Sequence, residues 1–413
     1  MNKKIIFGII FLALVVALIF IFPKGLVPAN VIAEELDDSQ STLEGVSQVV
    51  DGNNEFAFDL YDELKSEEGN MFFSPYSIST ALAMTYEGAK GDTAKQMEEV
   101  LHFPEEDILR QSNFARIQNI LNKKDKEYKL HTANALWLQK DYSFLDSYLG
   151  VTGDYYYAEQ NELDYMNKNK EAVDTINGWV EDETEGKIKD IISELSTDTR
   201  LVLTNAIYFK GDWLKEFDKD DTREADFNMG EGNVKVDMMY QKEDFNYAET
   251  DELQVLEMDY KGEELSMMVL LPKENYSLSD VEINKDNIET WSSSLVEEEV
   301  RVYFPKFEFD TKYFMRKTLT SMGMTDAFSG SADFSGMNGN QNLFIGKVIH
   351  QAYVKVDEKG TEAAAATVVV MELTSAGPGN QIVFKADHEF VFLIKEKSTG
   401  QILFLGKVVN PNE

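Results

Sequence analysis

Cysteine is absent from the 413 residues, which excludes a disulfide framework, a thiolate zinc site and a cysteine nucleophile. If the protein is exported, its stability comes from packing alone. Basic residues are scarce: 39 Lys and Arg stand against 74 Asp and Glu, a formal charge of −35. A field of that sign repels phosphate backbones, so nucleic acid is not expected as a partner. The surplus acid reads as a solubilising surface or a saline habitat. Histidine occurs only at His102, His131, His350 and His388. The GxSxG elbow, the GxxxxGK[ST] phosphate loop, HExxH and the EF-hand loop are all missing, so the strong catalytic and metal fingerprints are absent. No enzyme activity, cofactor or metal is expected. No internal repeat and no Pro/Gly/Ser linker divides the chain, which reads as one large domain after its N-terminal segment.

One long hydrophobic run is present. Residues 5–22, IIFGIIFLALVVALIFIF, follow Lys3 and Lys4 and are long enough to nearly span a hydrocarbon core as a helix. The segment serves targeting, either as an uncleaved membrane anchor or as a signal peptide cut after Val31 and Ala33, before Glu34. Either way the lysines keep the N-terminus inside and the body outside the cell. Residues 24–43, with EELDDSQS, read as an acidic tether. The division is therefore 1–23 signal or anchor, 24–43 tether and 44–413 folded domain.

Within that domain Phe56, Phe58, Leu60, Tyr61 and Leu64 suggest an amphipathic helix, and Ser74 with Pro75 opens another. Val173, Ile176, Trp179 and Val180 recur at helical spacing up to a cap at Gly186. Apolar runs at LVLTNAIYF, LSMMVLLP, VRVYFPKFEF, LFIGKVIHQAYVKV, FVFLI and ILFLGKVV read as strands. Helices dominate the first half and strands the second, which suits an α+β architecture.

The most informative stretch is EKGTEAAAAT, Glu358 to Thr367. Four alanines favour helix, but the β-branched continuation Val368, Val369 and Val370 draws the segment toward strand. With strand periodicity, Thr361, Ala363, Ala365 and Thr367 fall on one face, and Glu362, Ala364 and Ala366 on the other. One face is small enough to slide under another layer. Gly360 supplies backbone freedom. His350 lies upstream on an apolar strand, the usual place of a satisfied core histidine.

This run, near the C-terminus, resembles the hinge of the serpins, the serine protease inhibitor family. NMFFSPYSISTALAMTYEGAKGDTAKQM (70–97), LTNAIYFKGDW (203–213), FKADHEFVFLI (384–394) and FLGKVVNP (404–411) resemble family blocks in the family's order. The resemblance implies the serpin fold: a multi-helix N-terminal part, large mixed β-sheets and an exposed reactive-centre loop. It implies an extracellular suicide inhibitor, secreted or anchored through residues 5–22 and otherwise monomeric. The target serine protease cleaves the loop, is acylated and is dragged away as the loop inserts.

The hinge would comprise Glu358, Gly360, Thr361, Glu362, Ala363, Ala364, Ala365, Ala366 and Thr367. A hydrogen-bonded shutter would join Ser74, Ser77, Asn205 and His350, and Trp213 would mark the breach where insertion starts. Counting forward from Glu358 as inhibitory serpins do places the cleaved bond between Thr374 and Ser375, with Met371, Glu372 or Leu373 if the register slips. No Arg or Lys lies between Lys359 and Lys385, which argues against a trypsin-like target and for an elastase-, chymotrypsin- or subtilisin-like one. The alternatives are a non-inhibitory serpin acting as chaperone or carrier, or an inhibitor of cysteine proteases. Glu389 departs from the family's ADHPF block, where proline is usual. Asn275, Tyr276 and Ser277 form a glycosylation sequon, a triplet common by chance.

Overall fold

The helices follow from their caps and apolar stripes. Thr42 caps α1 (Leu43–Leu64) by accepting from the Gly45 amide at 2.9 Å, and Val46, Val49, Val50, Phe56, Leu60, Tyr61 and Leu64 give the buried stripe. Ser74 caps α2 (Pro75–Tyr86), with Pro75 in the first turn as its sequence demands. Unlike α1, this helix is buried on nearly every side, so it lies inside the molecule. Next come α3 (Gly91–Leu101), α4 (Asp107–Leu121), α5 (Asp146–Tyr156) and α6 (Asn169–Glu183). Gly186 stops α6, with φ at +78° and its amide donating back to the Glu181 carbonyl at 2.7 Å. Three shorter helices, α7 (Lys285–Ser294), α8 (Arg316–Ser321) and α9 (Ser335–Asn338), come later.

The computed structural model describes residues 35–123, 126–196, 199–230, 232–361 and 381–413, with backbone only at 131–133 and 205–206. Leu36–Glu413 form one compact unit. Within the stretch expected as a tether, Leu36 is buried and exchanges hydrogen bonds with the Asn119 side chain, 3.0 Å each way, while Asp37, Ser39, Gln40, Thr42 and Leu43 are exposed. The apolar run at 5–22 lies outside the described residues. Among the described residues no helix is long and apolar enough to cross a membrane.

Two sheets carry the rest. One contains β1 (Met71–Phe73), β5 (Arg223–Asn228), β6 (Asn233–Glu249), β7 (Leu253–Asp259), β8 (Leu265–Pro272), β9 (Val296–Pro305), β13 (Ile382–Lys385), β14 (Phe390–Glu396) and β15 (Ile402–Val408). Its order is β1-β15-β14-β8-β7-β6-β9-β13, with β5 paired to β6. The other contains β2 (Tyr128–Gln139), β3 (Ala158–Leu163), β4 (Leu201–Asp212), β10 (Phe307–Phe314), β11 (Ile349–Asp357) and β12 (Gly360–Thr361), in the order β10-β11-β12-β4-β2-β3. Aromatic rings fill the space between them. Phe72 of β1 stacks on Phe404 at 5.1 Å and meets Phe309 of β10 edge-on at 6.5 Å, while Phe209 of β4 lies 6.0 Å from Phe404.

A second, smaller core lies where Ala172, Val173, Ile176 and Val180 of α6 join Ala135 and Trp137 of β2, together with Ile188, Ile191 and Ile192. The segment after α6 is tied to the same sheet. Glu185 pairs with Lys129 of β2 and accepts from Tyr208 of β4, Lys187 sits 4.7 Å over the Tyr353 ring of β11, and Lys312 of β10 donates to the Asp190 carbonyl.

The expected strand LFIGKVIHQAYVKV begins only at Ile349. Residues 343–348 run as irregular chain, in which Leu343 and Ile345 bury their side chains and the Ile345 amide bonds to the Ala327 carbonyl. Burial without a ladder mimics strand alternation in sequence.

Candidate functional site

β11 and β4 run parallel, because each pairs antiparallel with the two residues of β12 between them: Val356↔Thr361 and Asp357↔Gly360 on one side, Gly360↔Asp212 and Thr361↔Gly211 on the other. The chain turns from β11 into β12 through Glu358 and Lys359, aided by the Lys359 amide donating to Asp357 Oδ1 at 2.9 Å. This end of the strand pair is where the expected hinge begins.

Every described residue there is fixed by a named contact. Trp213, 1% exposed, donates from Nε1 to the Asp357 carbonyl at 3.1 Å and from its amide to the Lys359 carbonyl at 2.6 Å. Its ring stacks on Tyr260 at 4.6 Å and 13°. Glu358 is buried, and its carbonyl accepts from the Phe217 amide at 2.8 Å. Its carboxylate accepts from Thr222 Oγ1 at 3.0 Å and from Lys306 Nζ at 3.2 Å. Burial alone would raise that carboxyl's pKa, but bonds from its own backbone amide, Thr222 and Lys306 outweigh it and hold the pKa below the usual range. Glu358, the first residue of the expected hinge, thus has its carboxylate held by Thr222 and Lys306.

Gly360 is required by close approach. A Cβ there would lie 2.0 Å from the Gly211 carbonyl oxygen and 2.7 Å from Asp212 Cα, both backbone atoms. Thr361 is buried, and its hydroxyl lies 2.7 Å from the Tyr260 hydroxyl. Glu362, Ala363, Ala364, Ala365, Ala366 and Thr367 lie outside the described residues, as do Met371, Glu372, Leu373, Thr374 and Ser375.

The second cluster lies near the start of β11, about 20 Å along the strand. His350 is buried, and its Nε2 accepts from the Ser74 amide at 3.0 Å, which places the proton of the neutral ring on Nδ1. Burial lowers its pKa to about 3. Ser74 Oγ donates to the Leu403 carbonyl at 2.6 Å and accepts from the Ser77 amide at 3.1 Å. One serine thus caps α2, meets β15 and, through its backbone, holds the β11 histidine. Among the described residues Ser77 Oγ, which is buried, has no hydrogen-bond partner, and Ser77 joins the cluster through its backbone amide. Asn205 faces Asn134 of β2 across the sheet, and its side chain lies outside the described residues.

Two other histidines have acceptors of their own. His102 meets Glu55 and Asp59, and His388 lies between Asp387 Oδ1 at 3.0 Å and the Pro272 carbonyl at 2.8 Å. Among the described side chains no histidine ring bonds a serine hydroxyl. In place of the family's proline, Glu389 accepts from the Leu278 amide at 3.2 Å. In the sequon, the Ser277 hydroxyl bonds Asp280 and Ser279.

Sequence reasoning missed Tyr260, Lys306, Thr222 and Gly211. Tyr260 closes an ordinary apolar run, LQVLEMDY, and its importance arises only when β4, β11 and β12 converge on it.

The arrangement is a parallel strand pair with a third strand begun between its members, locked above by Trp213, Tyr260 and Glu358 and below by His350 and Ser74. The family model for Serpin (serine protease inhibitor) matches residues 51–411. An uncharacterised serpin-like protein of Thermococcus kodakarensis is 45% identical over 370 residues, 88% of this chain and 86% of the relative. The leukocyte elastase inhibitor of Bos taurus is 40% identical over 381 residues, 89% of this chain and all of the relative. Among solved structures, human thyroxine-binding globulin complexed with thyroxine has a TM-score of 0.80 at 33% identity, covering 89% of this chain and all of that one. Uncleaved ovalbumin has a TM-score of 0.78 at 31% identity, covering 88% of this chain and all of that one. The chain belongs to the serpin family.

Proposed function

We propose that this chain is a suicide-substrate inhibitor of serine proteases. The observation that carries the reading is β12: Gly360 and Thr361 already pair between β11 and β4. The residues that would follow on its buried face, Ala363, Ala365, Thr367, Val369 and Met371, are small or apolar, without charge or proline. Likeness to leukocyte elastase inhibitors supports protease inhibition. The protease serine would attack the Thr374 carbonyl, the bond to the Ser375 nitrogen would break, and the new amine would take up the proton released by the serine. The ester formed would persist while residues 362–371 followed Thr361 into the sheet and completed the added strand. New ladder bonds at roughly 0.5–1.5 kcal/mol each, together with burial of Val369 and Met371, would drive the step. The leaving-side peptide would start at Ser375.

The target is an elastase-, chymotrypsin- or subtilisin-like enzyme, met outside the cell. Titration of each enzyme with the full chain tests this. Near-stoichiometric, lasting loss of activity supports it, and recovery of full activity after the loop is cut contradicts it. A carrier function is the second reading, favoured by likeness to thyroxine-binding globulin. The uncharged inserting face stands against it.

A further inference from the structure

We propose that Tyr260 is the positioning residue that seats Thr361 as the first rung of the inserting strand, and that it sets the requirement for a hydroxyl at position 361. The inference deepens the inhibitory reading and rests on it for its functional half.

Tyr260 is 0% exposed, and among the described residues the hydrogen-bond partner of its phenol is the Thr361 hydroxyl, at 2.7 Å. Burial holds that phenol's pKa far above its usual range, so it remains a neutral donor and acceptor. The ring cannot swing away. One face stacks on Trp213 at 4.6 Å, and Phe209 meets it edge-on at 5.1 Å. The backbone is held as well: Tyr260 bridges to Trp213, and its amide donates to the Leu265 carbonyl at 3.0 Å. Gly211, opposite Thr361, leaves room for this packing, since a Cβ there would lie 2.8 Å from Tyr260 Cδ1 and from Phe209 Cζ. Trp213 is in turn tied to Asp357, the last residue of β11, and to Lys359 in the turn into β12. A rigid hydroxyl therefore waits at the first position on the buried face.

Valine at 361 would match threonine in shape and leave the phenol without a partner. Serine would keep the bond. An orphaned buried hydroxyl is costly, whereas removing both partners can be nearly neutral. The signature is therefore coupling between 260 and 361, which a merely structural tyrosine would not show.

The test uses the full chain as wild type, Tyr260→Phe, Thr361→Val, the double variant and Thr361→Ser. Amide exchange at Gly360 and Thr361 is expected to speed up roughly fivefold or more in each single variant. It should be no faster in the double variant and unchanged in Thr361→Ser. Independent, additive changes, or none, would overturn the seating. With a protease that the wild type traps, both single variants should give less covalent adduct per loop cleaved, and the serine variant as much as wild type. Equal yields in all five would overturn the positioning role. A wild type that forms no adduct refutes the inhibitory function instead, and coupled exchange then still decides the seating.

Discussion

At Gly360 and Gly211 the backbones of β12 and β4 lie so close that no side chain fits at 360. Gly360→Ala should therefore cost about 2 kcal/mol or more in chemical denaturation, because the neighbour it meets is backbone and cannot yield cheaply. A cost under about 0.5 kcal/mol would contradict the observed packing. Two histidines make opposite pH predictions. His350, buried and with its pKa lowered to about 3, binds its proton more weakly folded than unfolded. Its contribution is therefore complete above the unfolded value of about 6.5 and is lost as pH falls from there toward about 3. Burial lowers the pKa of His388 too, but the Asp387 carboxylate and Pro272 carbonyl outweigh it and raise the pKa overall. Its contribution is present below about 6.5 and is lost as pH rises through the raised value. Stability measured against pH for wild type, His350→Asn and His388→Gln should show the acid-side loss removed in the first variant and the loss on raising pH removed in the second. Parallel curves for all three would contradict both assignments.

Elements were legible wherever period and punctuation agreed. Ser74-Pro75 opened α2 as read, Val173 to Val180 formed the buried face of α6, and LSMMVLLP matched β8 residue for residue. The strand expected over 343–348 did not form, since buried alternation looks the same in sequence whether or not a neighbouring strand supplies a ladder. Of the site, the family resemblance pointed to Ser74, His350 and Trp213. Its other half was hidden, because Lys306 and Tyr260 reach Glu358 and Thr361 from strands and turns 52 and 101 residues away along the chain. The register of β12 makes a prediction of its own. An antiparallel strand continuing from Val356↔Thr361↔Gly211 would set Ala363 between Val354 and Phe209, Ala365 between Ala352 and Ile207, and Thr367 between His350 and Asn205. A charge at Ala363 or Ala365 would then be buried without a partner. Ala365→Glu should turn inhibitor into substrate, raising the moles of chain consumed per mole of protease inhibited at least severalfold. An unchanged stoichiometry would refute this register.

For the molecule as a whole, the charge of −35 bears on partners and kinetics. It should hasten encounter with a cationic protease and be screened by salt, so the association rate should fall as ionic strength rises from 0.01 to 0.15 M, over which the Debye length shrinks from about 30 to 8 Å. A rate independent of salt would show that the acid surplus serves solubility alone. The central claim is that an opened sheet accepts the cleaved loop while the protease remains esterified to it. Intact mass of the full chain after reaction with elastase, chymotrypsin or subtilisin under denaturing conditions tests it most directly. The account predicts a species whose mass is the sum of protease and chain less the peptide beginning at Ser375. Cleaved chain and free, unmodified protease as the only products would contradict it.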